Sequence, residues 1–300
     1  MIYWPAHVLA FAASGLYFLG FAAFKTAAAR MPPLDGTRPF HLAVAILTSL
    51  RWWCGATVML AGVIFQFGAF DRSGRATVVP ALLAGLIVLL VVAGQGFREH
   101  VTAREWLAFA LMLGAGMAVA RATGGGWQPP PSNGLLVLAV ASFVIPVALF
   151  ALGDQRPAGA HARRLNGIAY GMCAGILIGF GELSLTLMAR HGLDRQLLTS
   201  TVHPYLFVTA VGIGVLQLQI ALQRCRMVVV LFVATVVAKI YVLLAGAPLT
   251  GFPTMSSRAH LVAGLALLVI AFALVPRFEA EPAGRRPPEP ARSRQRAMGR

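Results

Sequence analysis

The chain is 300 residues long and carries 25 Lys and Arg against 10 Asp and Glu, a net charge of +15, yet only 12% of it is charged while 58% is hydrophobic. The charges fall between long apolar runs rather than among them, which excludes a soluble globular domain. Much of the positive excess lies between Arg277 and Arg300, so it is not read as affinity for nucleic acid.

A bilayer core of about 30 Å takes roughly 20 mostly apolar residues per helix, because no backbone N–H or C=O is left unpaired in hydrocarbon. In chain order, stretches of that kind run Pro5–Phe24, Trp53–Phe70, Ala76–Gln95, Thr102–Ala120, Gly134–Leu152, Gly167–Arg190, Pro204–Leu222, Met227–Gly246 and Arg258–Pro276. They predict an all-α, polytopic membrane protein of about nine transmembrane helices. The first stretch has no Lys or Arg ahead of it and is followed by further spans, so it is expected to be retained rather than cleaved. The apolar piece Leu42–Leu50 is too short to span. Flanked by Arg38, His41 and the Arg51-Trp52-Trp53 cluster, it is expected to be a surface helix or an extension of the second span. Gly124 to Pro131 is a linker by composition, and the tail 278–300, rich in Pro, Glu and Arg, is expected to be disordered against an anionic leaflet. Cys54, Cys173 and Cys225 are too few and too scattered for a disulfide framework or a zinc site, and no cofactor is expected.

With the amino terminus outside, eighteen Lys and Arg fall on the inner side and six on the outer. Basic loops stay in the cytosol, so the expected location is a bacterial-type inner membrane with the carboxyl terminus inside. The chain also repeats itself. Ser14-Gly15, Thr26 and Ala29-Arg30 line up with Ala174-Gly175, Thr186 and Ala189-Arg190 at one offset. Gly62-Val63, Ala69, Arg72 and Val78 match Gly214-Val215, Ala221, Arg224 and Val230, and Thr102–Leu111 matches Ser256–Leu265. The expected organisation is a first four-helix repeat over 1–122, a linker with a fifth helix over 123–164, a second four-helix repeat over 165–277 and the tail. The odd linking helix turns the second copy upside down, the inverted-repeat plan of alternating-access transporters.

The sequence resembles the drug/metabolite transporter (EamA-like) superfamily, and within it the nine-helix branch of NIPA-type magnesium transporters and their bacterial relatives. The likeness lies in Arg51-Trp52-Trp53, Gly62 to Ala69 with Gln66, Ala76-Thr77-Val78-Val79-Pro80, Thr102-Ala103-Arg104-Glu105-Trp106 and Gln219-Ile220-Ala221-Leu222-Gln223-Arg224. It implies a secondary transporter whose substrate is drawn from a range that runs from amines and amino acids to nucleotide sugars and metal ions. Two features depart from that pattern. Phe232 stands where the eighth span would open with a proline run, and Lys239 stands where an apolar or small polar residue belongs. A fixed buried cation speaks against carriage of a bare divalent cation, so export of a small organic solute is ranked above magnesium-like transport.

Glu182 is the one acidic residue deep inside a predicted span, and a carboxylate there must face protein or water and have a partner. It falls about 20° on the helix wheel from Gly175, on a ridge of Gly167, Gly171, Gly175 and Gly179 that lets another helix approach. Lys239 lies at a similar depth on its own helix by rise per residue, so the two can pair. Either Glu182 takes a proton or a cationic group with Lys239 tuning it, or the pair simply pins two helices. Gln66, Gln217 and Gln219 are expected along a solute path or in interhelical hydrogen bonds, and Tyr17 and Tyr170 are expected to border a central cavity or to pack. Lys25 is expected to snorkel to headgroups. No nucleophile–base pair or metal-binding run appears, so neither an enzyme nor a metal site is expected. The expected partners are the bilayer and a small-molecule solute, with a homodimer admitted. The rival readings are a divalent-cation transporter and a non-transporting scaffold or accessory subunit.

Overall fold

The computed structural model describes residues 4–34, 36–73, 75–122, 132–152, 160–191, 202–249 and 255–275. The tail 278–300 and the linker Gly124 to Pro131 lie outside the described residues. Every regular element among the described residues is a helix: α1 (Ala6–Ala28), α2 (Pro39–Leu47), α3 (Leu50–Arg72), α4 (Arg75–Ala84), α5 (Leu86–Val91) running into a π-helical turn (Val92–Gly96), α6 (Ala103–Ala122), α7 (Ser132–Leu152), α8 (Ala160–His191), α9 (His203–Arg224), α10 (Met227–Leu249) and α11 (Met255–Leu274). Among the described residues, seven spans are long and apolar enough to cross a membrane, and α7 and α11 are apolar over the shorter windows Val137–Leu149 and Arg258–Leu274. The chain is an all-helical membrane protein.

Local chemistry sets the helix boundaries. Pro39 opens α2, where its missing N–H costs nothing, and the Ser49 hydroxyl accepts from the Trp52 backbone N–H to start α3. Leu42–Leu50 is therefore not an extension of the second span. A separate short helix ends at Leu47, whose carbonyl accepts from the Trp53 indole at 2.9 Å. Thr102 and Glu105 form a reciprocal cap on α6: the Glu105 carboxylate accepts from the Thr102 N–H at 2.7 Å, and the Thr102 hydroxyl accepts from the Glu105 N–H at 3.4 Å. The third span is interrupted at Gly85, five residues after Pro80. It closes on Arg98 in the left-handed region, φ 52°, with the Glu99 N–H reaching back to the Ala93 carbonyl at 3.0 Å.

Outward faces are apolar. Leu60, Ile64, Val137, Val140, Val144, Ile145 and Val262 are all exposed, as lipid-facing side chains must be. Trp4 and Tyr205 stand at the starts of α1 and α9, and Trp53 and Trp106 at the starts of α3 and α6, where interfacial aromatics belong.

The most extensive helix pairs are α1 with α3, α8 with α9, α6 with α11 and α8 with α10, while α1 also lies along α4 and α5. Lighter contacts join α1 to α9 and α3 to α8. Glycine permits the closest of these approaches. A Cβ on Gly20 would lie 2.9 Å from the Gly55 carbonyl across α1 and α3. On α8, a Cβ at Gly175 would lie 2.5 Å from the Ala234 carbonyl, and one at Gly179 would lie 2.8 Å from that of Ala238, so the glycine ridge read from the sequence faces α10. Gly212, by contrast, has nothing within 4 Å of such a Cβ. Gly175→Val should therefore drive α8 and α10 apart and cost about 1–3 kcal/mol as overpacking, read as a clearly lower unfolding temperature in detergent. Gly212→Ala should leave that temperature unchanged or slightly raised.

Candidate functional site

A cavity of about 140 Å³ lies between α1, α3 and α4 on one side and α8, α9 and α10 on the other. Its wall is largely apolar, with Phe18, Phe21 and Phe207 among the larger groups. Its polar members are Ser14, Tyr17, Gln66, Glu182, Thr235 and Lys239.

Glu182 and Lys239 meet there. The Lys239 ammonium donates to a Glu182 carboxylate oxygen at 2.5 Å, with side chains 11% and 10% exposed. The glycine ridge explains why they meet: with no side chain at Gly175 and Gly179, the α8 backbone lies against Ala234 and Ala238, which brings Glu182 level with Lys239 one residue further along α10. Across the cavity the Tyr17 hydroxyl donates to the Gln66 side-chain carbonyl at 2.6 Å, tying α1 to α3. An ion pair therefore enters the wall from the α8–α10 side and a neutral hydrogen-bonded pair from the α1–α3 side. Such a cavity can engage a charged or polar group at one wall while aromatic and aliphatic side chains cover the rest of a small molecule.

Four of the six residues singled out from the sequence are thus brought together, and two are not. Tyr170 is fully buried away from the cavity, beneath the Arg224 guanidinium, 5.4 Å from its ring centroid. Gln219 is fully buried in α9, is not in the cavity wall, and has no hydrogen-bond partner for either side-chain amide atom among the described residues. Gln217 donates to the Pro146 carbonyl at 2.9 Å and so holds α7 to α9. A second polar link holds α7 to α10. The Ser142 hydroxyl donates to the Leu138 carbonyl at 2.6 Å, so it accepts the Tyr241 proton across 2.5 Å.

Lys25 does not reach out to headgroups. Its ammonium donates to the Leu222 and Cys225 carbonyls at 2.5 and 2.7 Å, capping the carboxyl end of α9, where free carbonyls and the helix dipole favour a cation. Beside it, Gln223 accepts from the Leu34 N–H at 2.8 Å and donates to the Ala28 and Pro32 carbonyls, each at 3.1 Å. Glu99 accepts from the Met227 and Val228 N–H groups at 2.8 and 3.1 Å, capping the start of α10. Arg226 sits 3.7 Å from Glu99 and 3.4 Å from the fully buried Glu105. The end of α1, the α5–α6 connection and the α9–α10 junction are thereby fastened together at one end of the bundle. Sequence reading missed this network. The Thr102-x-x-Glu105 spacing was a usable signal for the cap, whereas the pairing of Glu99 with α10 joins positions far apart in the chain.

Among the described residues no group of three or more His, Cys, Asp or Glu side chains is placed to hold a metal ion. Fold and site together define a multi-helix membrane protein with an ion pair in the wall of a cavity between its helices. No protein-family model matches the chain, and no curated protein or solved structure does either.

If Lys239 is what makes Glu182 tolerable as an ion, Lys239→Met leaves a buried carboxylate unpaired and should cost about 3 kcal/mol or more, whereas Glu182→Gln with Lys239→Met should restore most of it. Unfolding of the four proteins of this cycle in detergent measures the coupling, and additive effects would mean that the pair contributes no mutual stabilisation.

Proposed function

We propose that the protein is a secondary transporter that exports a small organic solute, with the cavity at Glu182 and Lys239 as its solute site. One observation carries this reading: an ion pair lines a cavity walled by helices from both halves of the chain, where packing alone would favour apolar groups. A cavity of about 140 Å³ is of the size that admits a molecule of roughly one aromatic ring. Glu182 can exchange Lys239 for a proton or for a cationic group of the solute, and Lys239 can exchange Glu182 for an anionic one.

The pattern of helix contacts supports an inverted-repeat architecture of nine spans. Matching α1, α3, α4–α5 and α6 with α8, α9, α10 and α11 maps the packed pairs among these helices onto one another. The pair α1–α3 maps onto α8–α9, the contacts of α1 with α4 and α5 onto α8–α10, α1–α9 onto α3–α8, and α6–α11 onto itself. A two-fold relation between the halves requires that correspondence, and α7 as a fifth crossing supplies the inversion. The end fastened by Lys25, Gln223 and Glu99 gathers Arg224 and Arg226 near Arg98 and Arg104, which favours placing it at the cytosolic face of an inner membrane. The likeness to drug/metabolite transporters points the same way.

The rival readings fare less well. A bare dication at Glu182 would meet the Lys239 ammonium with one carboxylate between them. A scaffold has no use for a charged hollow at its centre. The test is a thermal-shift panel of cationic, anionic and zwitterionic metabolites on purified protein, followed by counterflow in proteoliposomes for any that stabilise. We expect one charge class to raise the unfolding temperature of the wild type, and Glu182→Gln to lose at least tenfold in both binding and flux. Flux unchanged in Glu182→Gln and Lys239→Ala at matched abundance would remove the site from the mechanism, and a panel with neither stabilisation nor flux would remove the carrier reading.

A further inference from the structure

A second hollow, of about 440 Å³, shares no lining residue with the charged cavity and lies between the end of α1, the short helix α2 and the start of α3. Arg30, His41 and Arg51 line it, all three are exposed, and no hydrogen bond or ion pair engages their side chains among the described residues. Among the described residues, no acidic side chain contributes to its wall. Its other members include Ala27, Met31 and Val44, so cationic groups stand over an apolar floor.

Helix α2 divides its surface into three stripes. Leu42 and Ile46 are buried in the bundle. His41, Ala45 and Thr48, at spacings of four and three, face the hollow. Phe40, Val44 and Leu47 repeat that spacing and are 88%, 60% and 56% exposed, and Leu50 follows at 78%. In water, so large an apolar fringe beside a basic hollow would be costly. At the boundary of a bilayer it sits among acyl chains, with the basic groups at headgroup depth.

We propose that this hollow is a binding site for one anionic phospholipid, its phosphate held by Arg30 and Arg51 with His41 beside them, and an acyl chain laid along Val44 and Leu47. Guanidinium forks match phosphate oxygens in charge and geometry. The start of α3, where Ser49 and Arg51 line the hollow, places the positive end of that helix's dipole at the same rim. The apolar fringe selects a lipid over a free phosphate. The site is independent of the central cavity and does not require the transport reading.

The test titrates purified, delipidated full-length protein with phosphatidylglycerol, phosphatidylcholine or inorganic phosphate, reading bound mass by native mass spectrometry and stability by thermal unfolding. We expect one phosphatidylglycerol to be retained and to raise the unfolding temperature, with neither phosphatidylcholine nor phosphate doing so. Arg30→Gln with Arg51→Gln should weaken its retention about thirtyfold, as removal of two cations at such a surface implies. Arg121→Gln, at an exposed arginine outside the hollow, should not. Should the double variant fail to fold, Thr48→Trp fills the hollow without altering charge and should abolish retention of the lipid. Equal binding of phosphatidylcholine, equal stabilisation by inorganic phosphate, or unchanged retention in Thr48→Trp would each overturn the proposal.

Discussion

Glu182 and Lys239 are held together at a depth where hydrocarbon would otherwise press on both, and neither charge is tolerable there without the other. That pairing requires α8 and α10 to approach within backbone contact, which in turn requires glycine at positions 175 and 179. The sequence of dependence runs from small residues to close helices, and from close helices to a charge pair that can line a cavity instead of being smothered by it. Substituting a larger residue on the ridge therefore acts on the site from two turns away.

The bundle treats its two polar regions differently. At one end, polar side chains cap helix termini: Lys25 satisfies the last carbonyls of α9, Glu99 the first N–H groups of α10, and Gln223 the loop after α1. These are bonds to backbone groups that would otherwise be orphaned at helix ends, and they fasten the halves together there. Around the cavity the polar side chains bond mainly to each other, Tyr17 to Gln66 and Lys239 to Glu182. Bonds between side chains can be exchanged without unravelling a helix, whereas bonds to the backbone groups of helix ends cannot.

Much of this arrangement was legible in the residues. Glu182 and Lys239 could be paired because depth along a helix follows from rise per residue, and the four-residue glycine spacing marked the face on which they meet. The helix wheel, however, fixes directions only relative to a helix's own axis. It does not say which neighbour lies there, and so Tyr170 and Gln219, plausible as cavity residues, lie in packed interior instead. Lys25 was misread for a related reason. A lysine at the end of a span suits snorkelling unless another helix ends beside it, and the proximity of α9 is a tertiary fact. The short apolar piece after the first span was ambiguous by length alone until Pro39 and Ser49 were seen to start separate helices.

The proposed solute site depends on the Glu182 carboxylate and the Lys239 ammonium touching inside the folded protein. Treatment in detergent with a hydrophobic carbodiimide activates the carboxyl, and an amine in contact with it displaces the activating group to form an amide. Mass spectrometry after proteolysis should then find the Glu182 peptide joined to the Lys239 peptide in the native protein and not in Lys239→Arg. Recovery of Glu182 as a stable carbodiimide adduct, with Lys239 unmodified, would contradict the account.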